Sequence, residues 1–244
     1  MLYLYAITDT ETADLPDMTG VEGARLQAVD YQRITAMVSV VDTARPEPTP
    51  EHLWQHETAI EALMTDRAVL PARFGTVLAD QEAVRSALAA HYERLVENLR
   101  FVAGRVEVGV RVLWAEDERP TTVVATDAIC PVAKTDNGQQ VNSGRAYIMA
   151  RLAEERAVQA RRALAEQQAA ALHGPLAQLA VASAQRTLAT PRLLLAAAYL
   201  IERDQIDAFK REVERLSAHH PDLRLLGTGP WPPYHFVTVT GENG

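Results

Sequence analysis

The sequence predicts an α+β fold, and three patterns along its 244 residues carry that prediction. Residues 106–114 place apolar side chains at every second position, which is typical of a strand with one buried face. Residues 80–104 instead repeat apolar side chains at three- and four-residue intervals, the spacing of an amphipathic helix. From Arg105 onward, strand and helix patterns follow in the order strand, helix, strand, strand, helix, strand. The 48% hydrophobic fraction is enough for one large core or two small ones.

The strands of the first half are predicted from short apolar runs bounded by polar residues. Residues 2–7 alternate aliphatic and aromatic side chains and predict the first strand. Residues 24–30 and 33–41 predict the two arms of a hairpin, and the acidic, proline-containing residues 42–50 predict a loop. Residues 68–78 are apolar but contain a proline and a glycine, so we expect an interrupted or bulged strand there.

Two helices are predicted in the same half. Thr49 suits a helix N-cap and Pro50 suits the first helical position, so a helix is expected to begin there. Its buried face is predicted to carry Leu53, His56, Ile60 and Leu63. A second helix is expected as one long element, capped by Asp80 and ending at Gly104. Its apolar stripe comprises Val84, Leu88, Tyr92, Leu95, Leu99 and Val102.

The second half is predicted to contain a long loop and a long alanine-rich helix. Residues 115–142 show no sustained period and are expected to be mostly loop. Ser143 is expected to open the helix, and the Gly174-Pro175 pair is expected to break or kink it near its end. The face predicted to pack against a sheet or another helix carries Met149, Ala153, Ala157, Ala160 and Leu164.

The remaining elements complete a recognisable order. Strands are predicted over residues 182–188 and 192–201, and again over 223–226 and 235–239. A helix capped by Asp204 is predicted between the two pairs, with Ile206, Phe209, Val213 and Leu216 facing inward. The order from Arg105 is the split β-α-β pattern of a ferredoxin-like domain.

We therefore expect two domains. Residues 1–104 are predicted to form an N-terminal α+β domain, and residues 105–244 the ferredoxin-like domain with its long loop. A helix ends and a strand begins near Gly104, which favours that boundary; a boundary within residues 120–142 is the alternative.

Composition excludes several functional classes. A net charge of −8 and a pI of about 5.4 argue against a nucleic-acid binder, which needs a basic face. The longest apolar run, Leu193 to Ile201, is less than half the roughly 20 residues that a membrane-spanning helix needs. The N-terminus lacks the basic region of a secretory signal, and a lone Cys130 agrees with a reducing compartment. The expected location is the cytoplasm.

Motifs for catalysis and metal binding are missing or incomplete. The sequence contains no Gly-x-Ser-x-Gly, Walker-type or His-Glu-x-x-His motif. His52 and His56 are four residues apart, as in some zinc sites, but no third ligand is evident, so we expect a hydrogen-bonded core histidine and no metal or cofactor. An enzyme or small-molecule sensor remains the alternative, with a pocket near His56 and Arg73.

Two other clusters are candidates for contact with a partner protein. Arg73 and Phe74 lie in the interrupted strand, where a charged side chain must reach solvent or pair inside the protein. Residues 231–236, Trp-Pro-Pro-Tyr-His-Phe, combine stiff prolines with three aromatic rings, including Trp231 and Tyr234. These aromatic residues either pack within their own domain or contact a partner. The candidate partner-binding residues are therefore Arg73, Phe74, Trp231 and Tyr234.

Six motifs are spread over nearly the whole chain. The motifs in the first half are Tyr-Leu-Tyr-Ala-Ile at 3–7, Val-Leu-Pro-Ala-Arg-Phe-Gly-Thr-Val at 69–77 and Glu-Val-Gly-Val-Arg-Val at 107–112. Those in the second half are Gly-Arg-Ala-Tyr-Ile at 144–148, Ala-Tyr-Leu-Ile at 198–201 and Thr-Gly-Pro-Trp-Pro-Pro-Tyr-His-Phe at 228–236. In this order and spacing, the motifs resemble the gas vesicle protein L/F family.

The resemblance implies a two-domain accessory protein needed to build gas vesicles, which are hollow, gas-filled protein shells. It implies binding to the small hydrophobic shell protein and to other accessory proteins, and no known catalytic activity. A place as a minor shell component is the weaker alternative. The implied location is the cytoplasm and the gas vesicle.

Overall fold

The computed structural model describes residues 1–9, 18–115, 143–187 and 192–237, and its first half is built on an antiparallel sheet. The strand order is β2-β3-β1-β4, with β5 also paired to β1. The strands are β1 (Leu2–Asp9), β2 (Gln27–Tyr31), β3 (Ile34–Val40), β4 (Val69–Pro71) and β5 (Val77–Leu78). The predicted first strand, hairpin and interrupted strand are therefore all present.

Strand β1 is buried on both faces, and a bulge decides which side chain faces which core. Its register against β3 shifts between Leu4 and Ala6. Tyr3, Tyr5 and Ala6 consequently belong to one hydrophobic cluster, whereas Leu2, Leu4 and Ile7 belong to the other. A strict alternation would have placed Ile7 on the same face as the tyrosines and Ala6 on the other face. The bulge exchanges the faces of these two side chains.

Three helices cover this sheet, and one predicted helix is divided. Helix α1 spans Pro50–Met64, and the side chain of Thr49 caps it by accepting a hydrogen bond from the His52 amide at 3.2 Å. The single helix predicted between Asp80 and Gly104 is instead α2 (Gln81–Ala90) and α3 (Tyr92–Val102), because His91 leaves helical geometry. The break allows α2 to pack on β2 while α3 packs on β4.

A second antiparallel sheet has the strand order β7-β8-β6-β9. Its strands are β6 (Arg105–Trp114), β7 (Ala182–Thr187), β8 (Leu193–Glu202) and β9 (Leu223–Trp231). Helices α4 (Ser143–Gln178) and α5 (Ile206–His219) pack on one face of this sheet. The predicted loop lies outside the described residues, apart from Ala115.

Two local predictions at the end of the chain are wrong. Asp204 does not cap α5: it lies in a 3-10 turn, and the capping position is Gln205, whose side chain makes no capping bond. His235 and Phe236 form a turn rather than a strand, because β9 continues to Trp231 and a proline pair follows. Val237 is not in a strand either, and residues 238–239 of that prediction lie outside the described residues.

Helix α4 differs most from its prediction. It continues through Pro175 to Gln178 instead of breaking at the Gly174-Pro175 pair. The face predicted to be packed is exposed at every position, namely Met149, Ala153, Ala157, Ala160 and Leu164. The side chains that do pack come from its second half: Ala165, Ala169, Leu172 and Leu176.

The larger hydrophobic cluster draws side chains from both sheets. It includes Tyr3 and Ile60 from the first half and Val110 and Tyr199 from the second. Arg203, which follows β8, adds a polar link by donating a hydrogen bond to the carbonyl of Met64 at the end of α1. None of the described helices is both long enough and apolar enough to cross a membrane.

We predict that Gly20→Ala destabilises the fold by about 1–3 kcal/mol, the usual range for an overpacked core. A Cβ atom at this position would lie 2.0 Å from the Tyr5 hydroxyl oxygen, which the surroundings hold in place. Urea denaturation measures the change. Gly227→Ala is the control, since a Cβ there meets no atom within 4 Å; equal stability of the two variants would contradict the prediction.

Candidate functional site

His56 is enclosed by aromatic rings. Its side chain is 1% exposed. The Tyr5 ring stacks on the imidazole at a centroid distance of 5.8 Å, and the Tyr3 and Phe74 rings meet it edge-on at 5.6 Å each. Nδ1 lies 2.9 Å from the Tyr3 hydroxyl. The expectation of a hydrogen-bonded core histidine is confirmed.

The hydrogen bonds around Tyr3 favour the neutral form of His56. The Gly75 amide donates to the Tyr3 hydroxyl oxygen at 3.1 Å, which leaves the hydroxyl proton to be donated to Nδ1. Burial lowers the pKa of His56 to about 4, with a smaller opposing effect from the Ala72 backbone. Burial likewise raises the pKa of Tyr3. At neutral pH this cluster is therefore uncharged.

A turn presents Arg73 at the surface directly beside this cluster. The Thr76 amide and hydroxyl both donate to the Arg73 carbonyl, at 3.2 and 2.7 Å. Gly75 has φ +82°, a conformation that side-chain-bearing residues rarely adopt. The Arg73 side chain is exposed and meets no polar partner among the described residues, whereas Phe74 is half-buried against the core.

The structure does not combine His56 and Arg73 into one polar site. The histidine ring is enclosed and bonded to Tyr3, while the guanidinium points to no described acceptor. His52 bonds the Glu47 carbonyl through Nδ1 at 2.9 Å. Within the described ranges, no three or more His, Cys, Asp and Glu side chains are placed to share a metal ion.

The aromatic–proline segment, residues 231–236, makes side-chain hydrogen bonds to both halves of the molecule. On one side, the Tyr234 hydroxyl donates to Glu57 of α1 at 3.0 Å. Burial raises the pKa of Tyr234, and the Glu57 carboxylate beside it raises it further. Burial also raises the pKa of Glu57, partly opposed by this hydrogen bond.

On the other side, Glu107 of β6 is hydrogen-bonded to His235. Glu107 is 4% exposed, and its two oxygens accept from the His235 amide at 2.9 Å and contact the imidazole Nδ1 at 2.6 Å. The sequence reasoning missed both Glu57 and Glu107. The available signal was Glu107 itself, a carboxylate on the face of β6 that also carries Gly109 and Arg111. Its partner could not be predicted from residue spacing.

Trp231, at the start of this segment, remains at the surface. Pro232 and Pro233 are buried, whereas Trp231 is 39% exposed. Trp231 and His235 border a groove of about 480 Å³ on the sheet face opposite the helices. The floor of this sheet groove includes Gly109, Arg111, Ala184, Ala196 and Ala198. Arg111 is exposed and has no polar partner among the described residues.

These features define an α+β protein whose accessible aromatic and cationic groups lie beside an open sheet face, a surface suited to contact with another macromolecule. The family model "Gas vesicle synthesis protein GvpL/GvpF" matches residues 1–238. The chain belongs to the gas vesicle protein L/F family.

Relatives from both branches of the family match over nearly their whole length. Gas vesicle protein F2 of Halobacterium salinarum is 30% identical over 242 residues, covering 98% of this chain and 92% of the relative. Gas vesicle protein L of a Streptomyces species is 29% identical over 267 residues, covering 99% and 94%.

Solved structures support the fold. The crystal structure of the gas vesicle protein GvpF from Anabaena sp. has a TM-score of 0.76 at 22% identity and covers 100% of this chain and 98% of that one. The GvpF structure from Microcystis aeruginosa has a TM-score of 0.72 at the same identity, with 96% and 98% covered.

We predict that His56 makes the fold more stable at neutral than at acidic pH. Its folded pKa of about 4 lies below the ordinary value of 6.5, so the unfolded chain binds more protons between these values. The contribution is complete above pH 6.5 and is lost as pH falls towards 4, by at most about 3 kcal/mol. In urea denaturation across this window, His56→Gln should show a flatter pH dependence; an unchanged slope would contradict the assignment.

We also predict that Tyr234→Phe destabilises the protein by about 1–3 kcal/mol, because it removes the hydroxyl that donates to the half-buried Glu57 carboxylate. The ring itself is retained, so packing is unchanged. Thermal and urea unfolding measure the loss. Tyr147→Phe, on a side chain that is 70% exposed, serves as the matched control and should be neutral. A neutral Tyr234→Phe would show that the bond adds nothing to stability.

Proposed function

We propose that this protein binds the hydrophobic gas vesicle shell protein during gas vesicle assembly, through the sheet groove and the exposed ring of Trp231. The observation that carries the proposal is that Trp231 is exposed at the start of a segment that hydrogen bonds hold in place. The Trp231 side chain is 39% exposed, although Tyr234 and His235, which follow closely in the chain, are hydrogen-bonded to Glu57 and Glu107. Pre-organised aromatic residues are typical of the strongest contacts in protein interfaces.

The sheet groove supplies the apolar surface for such a partner. Its floor is lined by glycine and alanine, which allow the backbone of a bound segment to approach closely. The outer edge of β7 is unpaired in the described part of the chain, so strand addition offers a second mode of contact with an extended segment. The net charge of −8 favours solubility of a complex with an apolar client.

The four candidate partner-binding residues take different roles in this proposal. Trp231 and Arg73 contact the partner, because both are exposed and Arg73 has no polar partner among the described residues. Phe74 supports the Arg73 turn through its contacts with Tyr3 and His56. Tyr234 is a positioning residue, since its hydroxyl is already bonded to Glu57.

The domain division belongs to the same proposal. We place the boundary at Gly104, where φ is +72° between α3 and β6, and we assign residues 105–244 to a modified ferredoxin-like domain. The order β7-β8-β6-β9, with α4 and α5 on one face, supports the assignment. The open face of that domain is then the one that carries the sheet groove.

Replacing Trp231 with alanine should weaken binding to purified shell protein by about tenfold or more. Effects of this size are expected for an aromatic residue near the centre of a protein interface. Trp54→Ala is the matched control, because Trp54 is 74% exposed on α1 and lies outside the sheet groove. Binding is measured by pull-down and by fluorescence titration, with circular dichroism confirming that both variants fold.

Two results would overturn the proposal. One is a lack of association between the folded wild-type protein and the shell protein. The other is equal binding by wild type and Trp231→Ala. If Trp231→Ala instead unfolds the chain, the charge-reversal variant Arg111→Glu tests the groove without changing the segment. Because Arg111 is exposed, this variant should fold and should bind the shell protein more weakly.

A further inference from the structure

The second sheet carries charged residues at both ends of its open face, the face opposite α4 and α5. At the end that holds Trp231, the Arg105 guanidinium pairs with Glu202 at 2.9 Å. In the neighbouring row of the sheet, Glu107 is hydrogen-bonded to His235. These four side chains are therefore already satisfied within the chain.

The other end of the open face carries Arg111, whose closest neighbours offer it no counter-charge. Arg111 is exposed, although it lies on the interior strand β6. Its register partners are Ala196 on β8 and Leu226 on β9. The same-face residues before and after it on β6 are Gly109 and Leu113. All four are uncharged, and none has a side-chain oxygen that could accept a hydrogen bond from a guanidinium.

Other arginines increase the positive charge at this end. Arg224 of β9 is diagonal to Arg111 on the same face and is also exposed. Arg186 of β7 occupies the same row of the register, one strand beyond β8. Asp222 precedes β9, but within the described ranges it forms no ion pair with Arg111 or Arg224. This end of the groove is therefore cationic and lacks a counter-ion in the part of the chain that the structure describes.

This arrangement favours a carboxylate as the group that completes the site. A guanidinium presents paired N–H donors that match the two oxygens of a carboxylate, and this bond strengthens where a bound segment excludes water. A basic side chain would be repelled. A polyanion such as nucleic acid is disfavoured, because the chain as a whole has a net charge of −8. The ligand that fits is an acidic side chain on a protein segment.

The register also fixes the distance between the cationic end and the aromatic end. Trp231 lies opposite Glu107, and Arg111 is four residues further along β6. At about 3.3 Å per residue, the two ends are about 13 Å apart along the strand. The residues of the row between them are Ala184, Ala198, Gly109 and Thr228. Because this row is small, one bound segment can reach both ends.

We propose that Arg111 determines which segment of the shell protein the sheet groove accepts. Arg111 bonds an acidic side chain of that segment, while an apolar side chain of the same segment packs on Trp231. The segment therefore carries an aspartate or glutamate about 13 Å from an apolar residue. This inference rests on the proposed function, because it specifies which part of the shell protein is recognised.

Overlapping synthetic peptides that cover the shell-protein sequence identify the segment, with binding to the full-length protein measured by fluorescence anisotropy. We expect the tightest-binding peptide to contain an acidic residue. Replacing that residue with its amide, Asp with Asn or Glu with Gln, keeps its size and removes its charge. This exchange should weaken binding to the wild-type protein by about tenfold or more.

Arg111→Gln makes the complementary change in this protein. It should weaken binding of the unmodified peptide by about the same factor, and exchanging the acidic residue should then cause little further loss. Added salt should weaken binding to the wild type more than binding to Arg111→Gln. Arg85→Gln is the matched control, because Arg85 is exposed on α2 and does not line the sheet groove. Circular dichroism checks that both variants fold.

Three outcomes contradict the inference and leave shell-protein binding intact. They are a tightest-binding peptide without an acidic residue, equal binding by Arg111→Gln and Arg85→Gln, and losses from the two exchanges that multiply when they are combined. If only the intact shell protein binds, the amide exchanges are made in it one at a time and are interpreted in the same way. Failure of the wild-type protein to bind either the peptides or the intact shell protein contradicts the proposed function itself.

Discussion

The arrangement of the first half depends on two buried tyrosines of β1. Tyr3 and Tyr5 are both 0% exposed, and their hydroxyl groups connect segments that are distant in sequence. The Tyr3 hydroxyl meets His56 of α1 and the Gly75 amide, while the Tyr5 hydroxyl meets Ser39 of β3 and the Val21 amide. A buried polar group without a partner is destabilising, so each hydroxyl fixes the position of the groups that satisfy it. The Arg73 turn and the ring contacts of Phe74 follow from this requirement.

A second constraint joins the C-terminal segment to this framework. Glu57 lies on α1 next to His56, and Glu107 lies on the central strand β6 of the other sheet. The two carboxylates hold Tyr234 and His235, which are consecutive residues. Between these contacts and the end of β9, two buried prolines leave little conformational freedom, and Trp231 is displayed without being part of the core. Rigidity inside the protein and exposure at its surface therefore arise from the same few contacts.

The chemistry of the sheet groove matches the partner proposed for it. The sheet groove combines a floor of mostly small residues with one indole ring and with the Arg111 guanidinium, which has no polar partner in the described ranges. Such a surface suits an apolar segment.

The sequence alone determined the α+β class, nearly every strand, the Thr49 cap, the burial of His56 and the family, because these depend on local periodicity, on residue types at helix ends and on specific motifs. It did not determine the bulge in β1, the break at His91 or the partners of Tyr234 and His235, because these depend on which distant groups meet. Periodicity also assigned one face of the first half of α4 to the core, and that face is exposed. A pattern records that a face is apolar, whereas the tertiary structure decides whether the chain itself covers that face, and from residue 147 to residue 164 the described chain does not.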